Sequence, residues 1–148
     1  TGDPQFGFGT EDFTIEAWIY PIDLSTVRTI SSQRQNSTGN NNFAIVGSKV
    51  SWSNGANWLS GSTDVSTNQW SHVAVTRQSG TVRVFLNGTL DGSGTRTDDL
   101  GASRPARIGA FLNDASGPFY GYMEDVRLTK GLARYTANFT PPTAGLKG

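Results

Sequence analysis

The 148-residue chain contains no cysteine and a single histidine, His72. Without cysteine there is neither a disulfide framework nor a thiolate metal site. One histidine gives little basis for a zinc site or a Ser-His-Asp triad. Because His72 lies in the alternating stretch WSHVA, we predict a core or hydrogen-bonding role for it.

An excess of charge of either sign is also missing, because twelve basic residues balance twelve acidic ones. The sequence therefore predicts no nucleic-acid partner. No apolar run approaches the length of a membrane span, and no signal peptide opens the chain, so we expect no membrane insertion. The start at Thr1 indicates a segment excised from a longer protein. The length predicts a single domain over residues 1–148.

The sequence also lacks helix-type periodicity. Glycine accounts for 18 of its residues. In residues 12–21, every second residue is apolar from Phe13 to Ile19, which is the period of a half-buried strand. Pro21 then stops the run. Similar alternation occurs in residues 70–77, 81–88, 104–111 and 119–128.

The residues between these runs are those of tight turns. Ser79-Gly80, Asn87-Gly88 and Gly47-Ser48 each separate two strand-like stretches. We predict a type I′ turn at Asn87-Gly88 and a type II′ turn at Gly47-Ser48. Short strands joined by such turns predict an all-β fold of two packed antiparallel sheets, with a closed barrel as the alternative.

Three segments together resemble a known family. They are FGTEDFTIEAWIYP (8–21), NQWSHVAVTRQSGTVRVFLNGTL (68–90), and a region from RIGAF to TANFTPPT (107–143). In this order they resemble the laminin G-like, concanavalin A-like jelly rolls of bacterial surface proteins and of phage tail or virion proteins. The resemblance implies a β-sandwich with one curved face, an extracellular or virion-associated setting, a glycan or glycoconjugate ligand, and in many members Ca²⁺ at the rim.

The C-terminal region is expected to close the domain. The resemblance implies that YGYMEDVRL is the last long strand and pairs beside the first. Residues 132–148 have no strand pattern of their own, so we predict a clasp in which Leu132, Tyr135 and Phe139 bury apolar area over the sheet edge.

Catalytic carboxylates lack the required arrangement. Glucanases of this fold resemble one another in a Glu-x-Asp-x-x-Glu strand, which places two carboxylates on one face. Here Glu11, Asp12 and Glu16 have a different spacing. Glu124 and Asp125 are adjacent and could not both point into one cleft on a regular strand. The sequence therefore predicts that the domain is not an enzyme.

Calcium binding stays an open expectation. Oxygen ligands are available in residues 9–13, 96–101 and 113–116, although their spacing does not match an EF-hand loop and Asx residues also stabilise turns. We expect Ca²⁺ as a cofactor without assigning its ligands.

Two groups of aromatic residues are distinguished by their surroundings. Phe13, Trp18, Trp70 and Phe85 lie in alternating runs, so we predict that they are core residues. Trp52 and Trp58 lie in a polar, glycine-rich segment, although one of them could cap the core from a loop. A tryptophan face bordered by amides suits a pyranose ring. The predicted ligand-binding residues are Trp52, Asn54, Asn57, Trp58, Asn113, Asp114 and Tyr120.

Two functions in different classes follow from these patterns. The first is a non-catalytic, lectin-like domain that recognises a surface glycan in adhesion, as part of a larger virion or extracellular protein. The alternative is a structural sandwich domain that packs against other chains of an assembly and binds no sugar.

Overall fold

A computed structural model describes residues 6–33, 40–102, 105–111 and 116–143. Within these ranges the chain forms strands joined by turns and irregular segments, with no α-helix. The strands are β1 (Phe13–Pro21), β2 (Arg28–Ser32), β3 (Asn42–Val46), β4 (Lys49–Ser53), β5 (Trp58–Asp64), β6 (Ser71–Gln78), β7 (Thr81–Leu86), β8 (Thr89–Thr95), β9 (Arg107–Ile108) and β10 (Gly121–Lys130).

These strands form two antiparallel sheets of five strands each. The first sheet has the order β10-β1-β6-β7-β8, and the second has the order β5-β4-β3-β2-β9. The last strand pairs with the first from Phe13↔Lys130 to Pro21↔Gly121, as expected from the sequence. The fold is therefore the predicted antiparallel β-sandwich, with two layers rather than one closed barrel.

The core lies between the two sheets. Phe13, Ile15, Ala17 and Ile19 project inward from β1 and are fully or almost fully buried, which confirms the alternation seen in the sequence. The ring of Phe13 lies 6.1 Å from that of Trp52 on the other sheet. Contacts of this kind remove apolar area from water on both inner faces, which is the main stabilising term of a sandwich.

Arg77 closes one end of this core. Its guanidinium lies over the ring of Phe13, with 5.3 Å between Cζ and the ring centroid. It donates hydrogen bonds to the backbone carbonyls of Gly9, Glu11 and Asp98. Burial lowers the pKa of Arg77, and the charges of nearby aspartates oppose that shift. The buried cation thereby ties the N-terminal segment to the loop after β8.

The three short hairpin turns have the same backbone conformation. Gly47 and Ser48 have φ of 54° and 63°, and the pairs Ser79-Gly80 and Asn87-Gly88 likewise have positive φ at both residues. Two positive φ values define a type I′ turn. The prediction is confirmed for Asn87-Gly88 and is wrong for Gly47-Ser48, where serine takes the left-handed conformation that a type II′ turn does not require.

Residues 132–143, which we call the clasp, cover the outer face of the first sheet. The rings of Tyr135 and Phe139 stack 3.6 Å apart, and Phe139 lies 5.3 Å from Phe85 and 5.7 Å from His72. Phe85 is thus buried on the outer face, beneath the clasp, rather than in the core between the sheets.

Backbone and side-chain hydrogen bonds hold the clasp along its length. Thr14 Oγ1 donates to the carbonyl of Leu132, Thr76 Oγ1 to that of Tyr135, and Trp18 Nε1 to that of Pro142. Two details of the predicted clasp are wrong. It lies over a face of the sheet rather than its edge, and the side chain of Leu132 is 50% exposed because the residue is held through its backbone.

A buried carboxylate lies beneath the clasp. Glu16 is 1% exposed, and its Oε1 accepts hydrogen bonds from Arg127 Nη2 at 2.9 Å and Tyr135 Oη at 3.0 Å. His72 Nε2 lies 3.5 Å from the same oxygen, and the fully buried ring packs against Tyr135 and Phe139 of the clasp rather than between the sheets. Burial raises the pKa of Glu16, but interactions with His72, Arg127 and Tyr135 outweigh it and hold the pKa below its ordinary value.

Candidate functional site

An open cleft of about 230 Å³ lies at the end of the second sheet, beside the turn between β4 and β5. Its walls combine a tryptophan and a phenylalanine with an amide and a hydroxyl, which is the mixture that suits a sugar. The lining residues are Val27, Asn42, Ser53, Gly55, Trp58 and Phe111.

The turn from β4 to β5 presents Trp58 at the cleft. Asn54 Oδ1 accepts hydrogen bonds from the backbone N–H groups of Ala56 and Asn57, at 3.1 and 3.4 Å. Ser53 Oγ accepts another from Gly55, whose φ of 103° favours glycine. These bonds fix the turn, so Trp58 starts β5 directly opposite Ser53. Its side chain is held at a rigid strand end while it remains 37% exposed.

Phe111 supplies the opposite apolar surface. Its ring centroid lies 6.5 Å from that of Trp58, at an interplanar angle of 48°. Gly117 approaches the Phe111 ring closely, since a Cβ at that position would lie 3.1 Å from it. The polar part of the wall is fixed too, because Ser32 Oγ donates to Asn42 Oδ1 at 2.8 Å. The cleft is therefore largely formed before any ligand arrives.

Trp52 is not part of this site, so its prediction as an exposed platform is wrong. Its side chain is completely buried in the core, and its Nε1 donates to Asn41 Oδ1 at 2.6 Å. Asn41 Nδ2 donates in turn to Gln33 Oε1. Asn41, eleven positions earlier in the chain, thus satisfies the buried indole N–H of Trp52, which is not available to a ligand.

The other residues predicted to bind the ligand lie in different places. Asn54 is occupied by its turn and by a hydrogen bond of 2.7 Å from its Nδ2 to Asp98. Asn57 is exposed and adjoins Trp58 in the chain. Tyr120 is 57% exposed but lies under the guanidinium of Arg28, at 5.9 Å, rather than in the cleft wall. Asn113 and Asp114 fall outside the described residues.

A second pocket, also of about 230 Å³, lies on the first sheet and was missed by the sequence analysis. Trp18, Trp70, Glu124, Asp125 and Thr143 line it. Trp70 is 41% exposed and Trp18 is partly exposed, so the prediction that both are core residues is wrong. They belong to the outward-facing half of the alternation, on the side of the sheet where the clasp reaches Trp18.

Calcium has no evident site in the part of the chain that is described. Within those residues no group of three histidine or acidic side chains is placed to hold a metal ion. Asp98 accepts from Asn54, and Asp99 Oδ1 accepts from the N–H of Gly101 at 2.8 Å, so both stabilise loops. The expectation of Ca²⁺ stays a prediction. The described residues also contain no helix long and apolar enough to cross a membrane.

Solved structures of low sequence identity share the fold. Domain 4 of AbnA, an extracellular arabinanase from Geobacillus stearothermophilus solved with arabinotriose, is 23% identical with a TM-score of 0.68, over 88% of this chain and 65% of that one. The CBM40 domain of the Ruminococcus gnavus IT-sialidase is 16% identical with a TM-score of 0.68, over 85% of this chain and 80% of that one. Domains LG4-5 of the mouse laminin alpha1 chain are 12% identical with a TM-score of 0.67, over 86% of this chain and 37% of that one.

The chain therefore spans less than two thirds of the arabinanase and laminin structures. No curated protein matches it in sequence. A family model does match, over residues 1–132, which include the ten strands in the described part of the chain. The chain belongs to the concanavalin A-like lectin/glucanases superfamily.

Proposed function

We propose that this domain is a non-catalytic glycan-binding module whose ligand lies in the cleft of Trp58. The observation that carries the proposal is the partly exposed Trp58, which lines a preformed cleft together with Phe111, Asn42 and Ser53. The apolar C–H face of a sugar ring can pack on the indole while its hydroxyls bond to the amide and the hydroxyl.

The polar partners proposed for the sugar come from the adjoining loops. Asn57 is exposed next to Trp58, while Asn113 and Asp114 follow Phe111 by two and three positions in the chain. Loops anchored on a rigid sheet are where binding specificity is usually carried. Two of the structures with the same fold were solved with oligosaccharides, namely arabinotriose and α2,3-sialyllactose, which supports this ligand class.

The absence of catalysis is part of the proposal. Glu16 is buried and bonded to Arg127 and Tyr135 beneath the clasp, so it is unable to reach a glycosidic bond. No acidic residue lines the Trp58 cleft in the described part of the chain. Glycoside hydrolysis ordinarily needs two carboxylates on either side of the scissile bond.

We place the domain in an extracellular protein, in keeping with the named setting of the arabinanase. One aromatic platform and a few solvent-exposed hydrogen bonds predict weak monovalent affinity, about 10 µM to 1 mM. Several copies in one assembly would raise the avidity without any new contact.

A glycan array tests the proposal directly. The array carries arabino-oligosaccharides and α2,3-sialyllactose among a broad set, and it is probed with and without Ca²⁺. We expect binding that Trp58→Ala abolishes and that Tyr120→Ala, an exposed aromatic outside the cleft, retains. A protein that binds no glycan under either condition would contradict the proposal and favour a purely structural domain. Glycan binding that survives Trp58→Ala would place the site elsewhere.

A further inference from the structure

The pocket on the first sheet differs chemically from the Trp58 cleft, because two acidic residues line it together with two tryptophans. Glu124 and Asp125 of β10 line it together with Trp18 of β1 and Trp70, which immediately precedes β6. Thr143 completes the wall. The Trp58 cleft has no acidic lining residue among those described, so a ligand that fits one site need not fit the other.

A β-bulge lets both adjacent acidic residues line this pocket. Glu16 pairs with Arg127 and Trp18 pairs with Glu124, so Asp125 and Val126 together stand opposite the single residue Ala17. Asp125 has a φ of 56°, in the left-handed region. The sequence-based expectation that the two side chains could not share one cleft was made for a regular strand, and the strand is not regular at this point. A bulge redirects side chains in this manner.

Neither carboxylate is neutralised within the described part of the chain. The side chains of Glu124 and Asp125 have no hydrogen bond and no salt bridge there, in contrast to those of Glu16, Asp23 and Asp64. The nearest basic residue along β10, Arg127, donates to Glu16 instead. Among the described residues no lysine or arginine lines the pocket, so its two negative charges have no described partner.

The two tryptophans are held by their neighbours. Trp18 Nε1 donates to the carbonyl of Pro142, and its ring meets the ring of His72 edge to face at 5.4 Å. Trp70 meets Tyr20 in the same manner at 5.6 Å. Trp18 and Trp70 nevertheless remain part of the pocket surface. Indole faces attract cations, and the attraction increases when the cation loses water.

We propose that this pocket binds an ammonium group, primary or quaternary, carried by a small organic ligand such as an amino sugar. The cation lies against the indole surface of Trp18 or Trp70, and its charge is balanced by Glu124 and Asp125. A neutral sugar gains nothing from the two carboxylates, so this pocket selects for charge where the Trp58 cleft selects for a sugar ring. The inference does not depend on glycan binding in that cleft.

Isothermal titration with matched probes tests this inference. Glucosamine and choline carry an ammonium group, whereas N-acetylglucosamine is the neutral counterpart of glucosamine. At pH 6 and low salt we expect glucosamine to bind at least about tenfold more tightly than N-acetylglucosamine. Added salt should weaken its binding. Binding of choline without glucosamine would support an ammonium site whose natural ligand is not a sugar.

The double variant Glu124→Gln/Asp125→Asn keeps the shapes of both side chains and removes both charges. Asparagine also tolerates the left-handed backbone at position 125. We expect the double variant to weaken glucosamine binding about tenfold or more. Asp64→Asn, on the opposite sheet, should leave glucosamine binding unchanged. Equal binding of glucosamine and N-acetylglucosamine, no binding of either glucosamine or choline, or full binding by the double variant would overturn the inference. Thermal melts of both variants establish that they are folded.

Discussion

The hydroxyl of Tyr135 donates a hydrogen bond of 3.0 Å to Oε1 of Glu16, a residue 119 positions earlier in the chain. Glu16 is buried in the first strand, and Tyr135 lies in the clasp that crosses that strand's outer face. The bond therefore joins the two ends of the domain. It also satisfies part of a buried carboxylate that would otherwise be costly to remove from water.

Removing this hydroxyl should loosen the clasp. Hydrogen bonds to charged groups are worth about 1.5–3 kcal/mol, so we expect Tyr135→Phe to lower the free energy of unfolding by that order. Urea unfolding at pH 7 measures the change. Tyr122→Phe is the matched control, because Tyr122 is 61% exposed and surface changes usually stay within about 0.5 kcal/mol. Equal stabilities of the two variants would show that the bond contributes nothing.

Because of the Glu16 carboxylate, we expect the stability of the domain to be sensitive to acid. Arg127 from β10, His72 from β6 and Tyr135 from the clasp surround Glu16, and together they hold its pKa below the ordinary value despite burial. A lowered pKa gives stability that is fully present above the unfolded-state pKa, about 4.3, and is lost as pH falls through the folded-state pKa. We expect the free energy of unfolding to fall more steeply below about pH 4.5 in the parent than in Glu16→Gln. Parallel pH profiles would contradict this assignment.

Substitutions at two glycines, Gly47 and Gly88, distinguish the effect of backbone strain from the effect of contact with the clasp. A Cβ at Gly88 would lie 1.9 Å from the carbonyl oxygen of Phe139, whereas one at Gly47 would meet nothing within 4 Å. Both have positive φ. Gly47→Ala should lower the free energy of unfolding only by the strain of a left-handed alanine, about 1–2 kcal/mol.

Gly88→Ala should lower the free energy of unfolding by more than Gly47→Ala does, and it should also displace the clasp. Since the N–H of Phe139 donates to the carbonyl of Gly88, amide hydrogen exchange at Phe139 should accelerate in this variant and stay slow in Gly47→Ala. If both variants exchange alike, the turn after β7 does not position the clasp.

Two tryptophans that look alike in the sequence should differ in their effect on stability. Trp52 is completely buried and hydrogen-bonded, while Trp58 is 37% exposed. We expect Trp52→Ala to cost about 3–5 kcal/mol, and Trp58→Ala about 1–2 kcal/mol. Thermal or urea melts distinguish them, and similar losses at the two positions would contradict their different burial.

The fold could be predicted because its signals are local. Alternation in β1 and the turn residues Asn87 and Gly88 are readable along the chain, and the structure shows both. The partly covered outer face was harder to foresee. Alternation indicates that Trp18 and Ile19 lie on opposite faces, but only the tertiary arrangement shows that the clasp reaches as far as Trp18 Nε1.

The candidate sites were predicted less well for two physical reasons. A polar, glycine-rich surrounding made Trp52 and Trp58 equal candidates for an exposed platform, yet Asn41 accepts the indole N–H of Trp52 inside the protein. The pocket of Trp18 and Trp70 depends on a bulge at Asp125. One extra residue on a strand leaves no distinct sequence pattern, so the convergence of Glu124 and Asp125 appears only in three dimensions.

The indole N–H resonances of the four tryptophans give the most direct test of glycan binding at Trp58. A ¹⁵N-labelled sample is titrated with the strongest ligand from the glycan array, and Trp58→Ala assigns the resonance of interest. We predict that the Trp58 resonance shifts as the ligand saturates, while that of Trp52, buried and bonded to Asn41, stays in place. A neutral glycan that binds and shifts only Trp18 and Trp70, or that leaves Trp58 unmoved, would contradict the account.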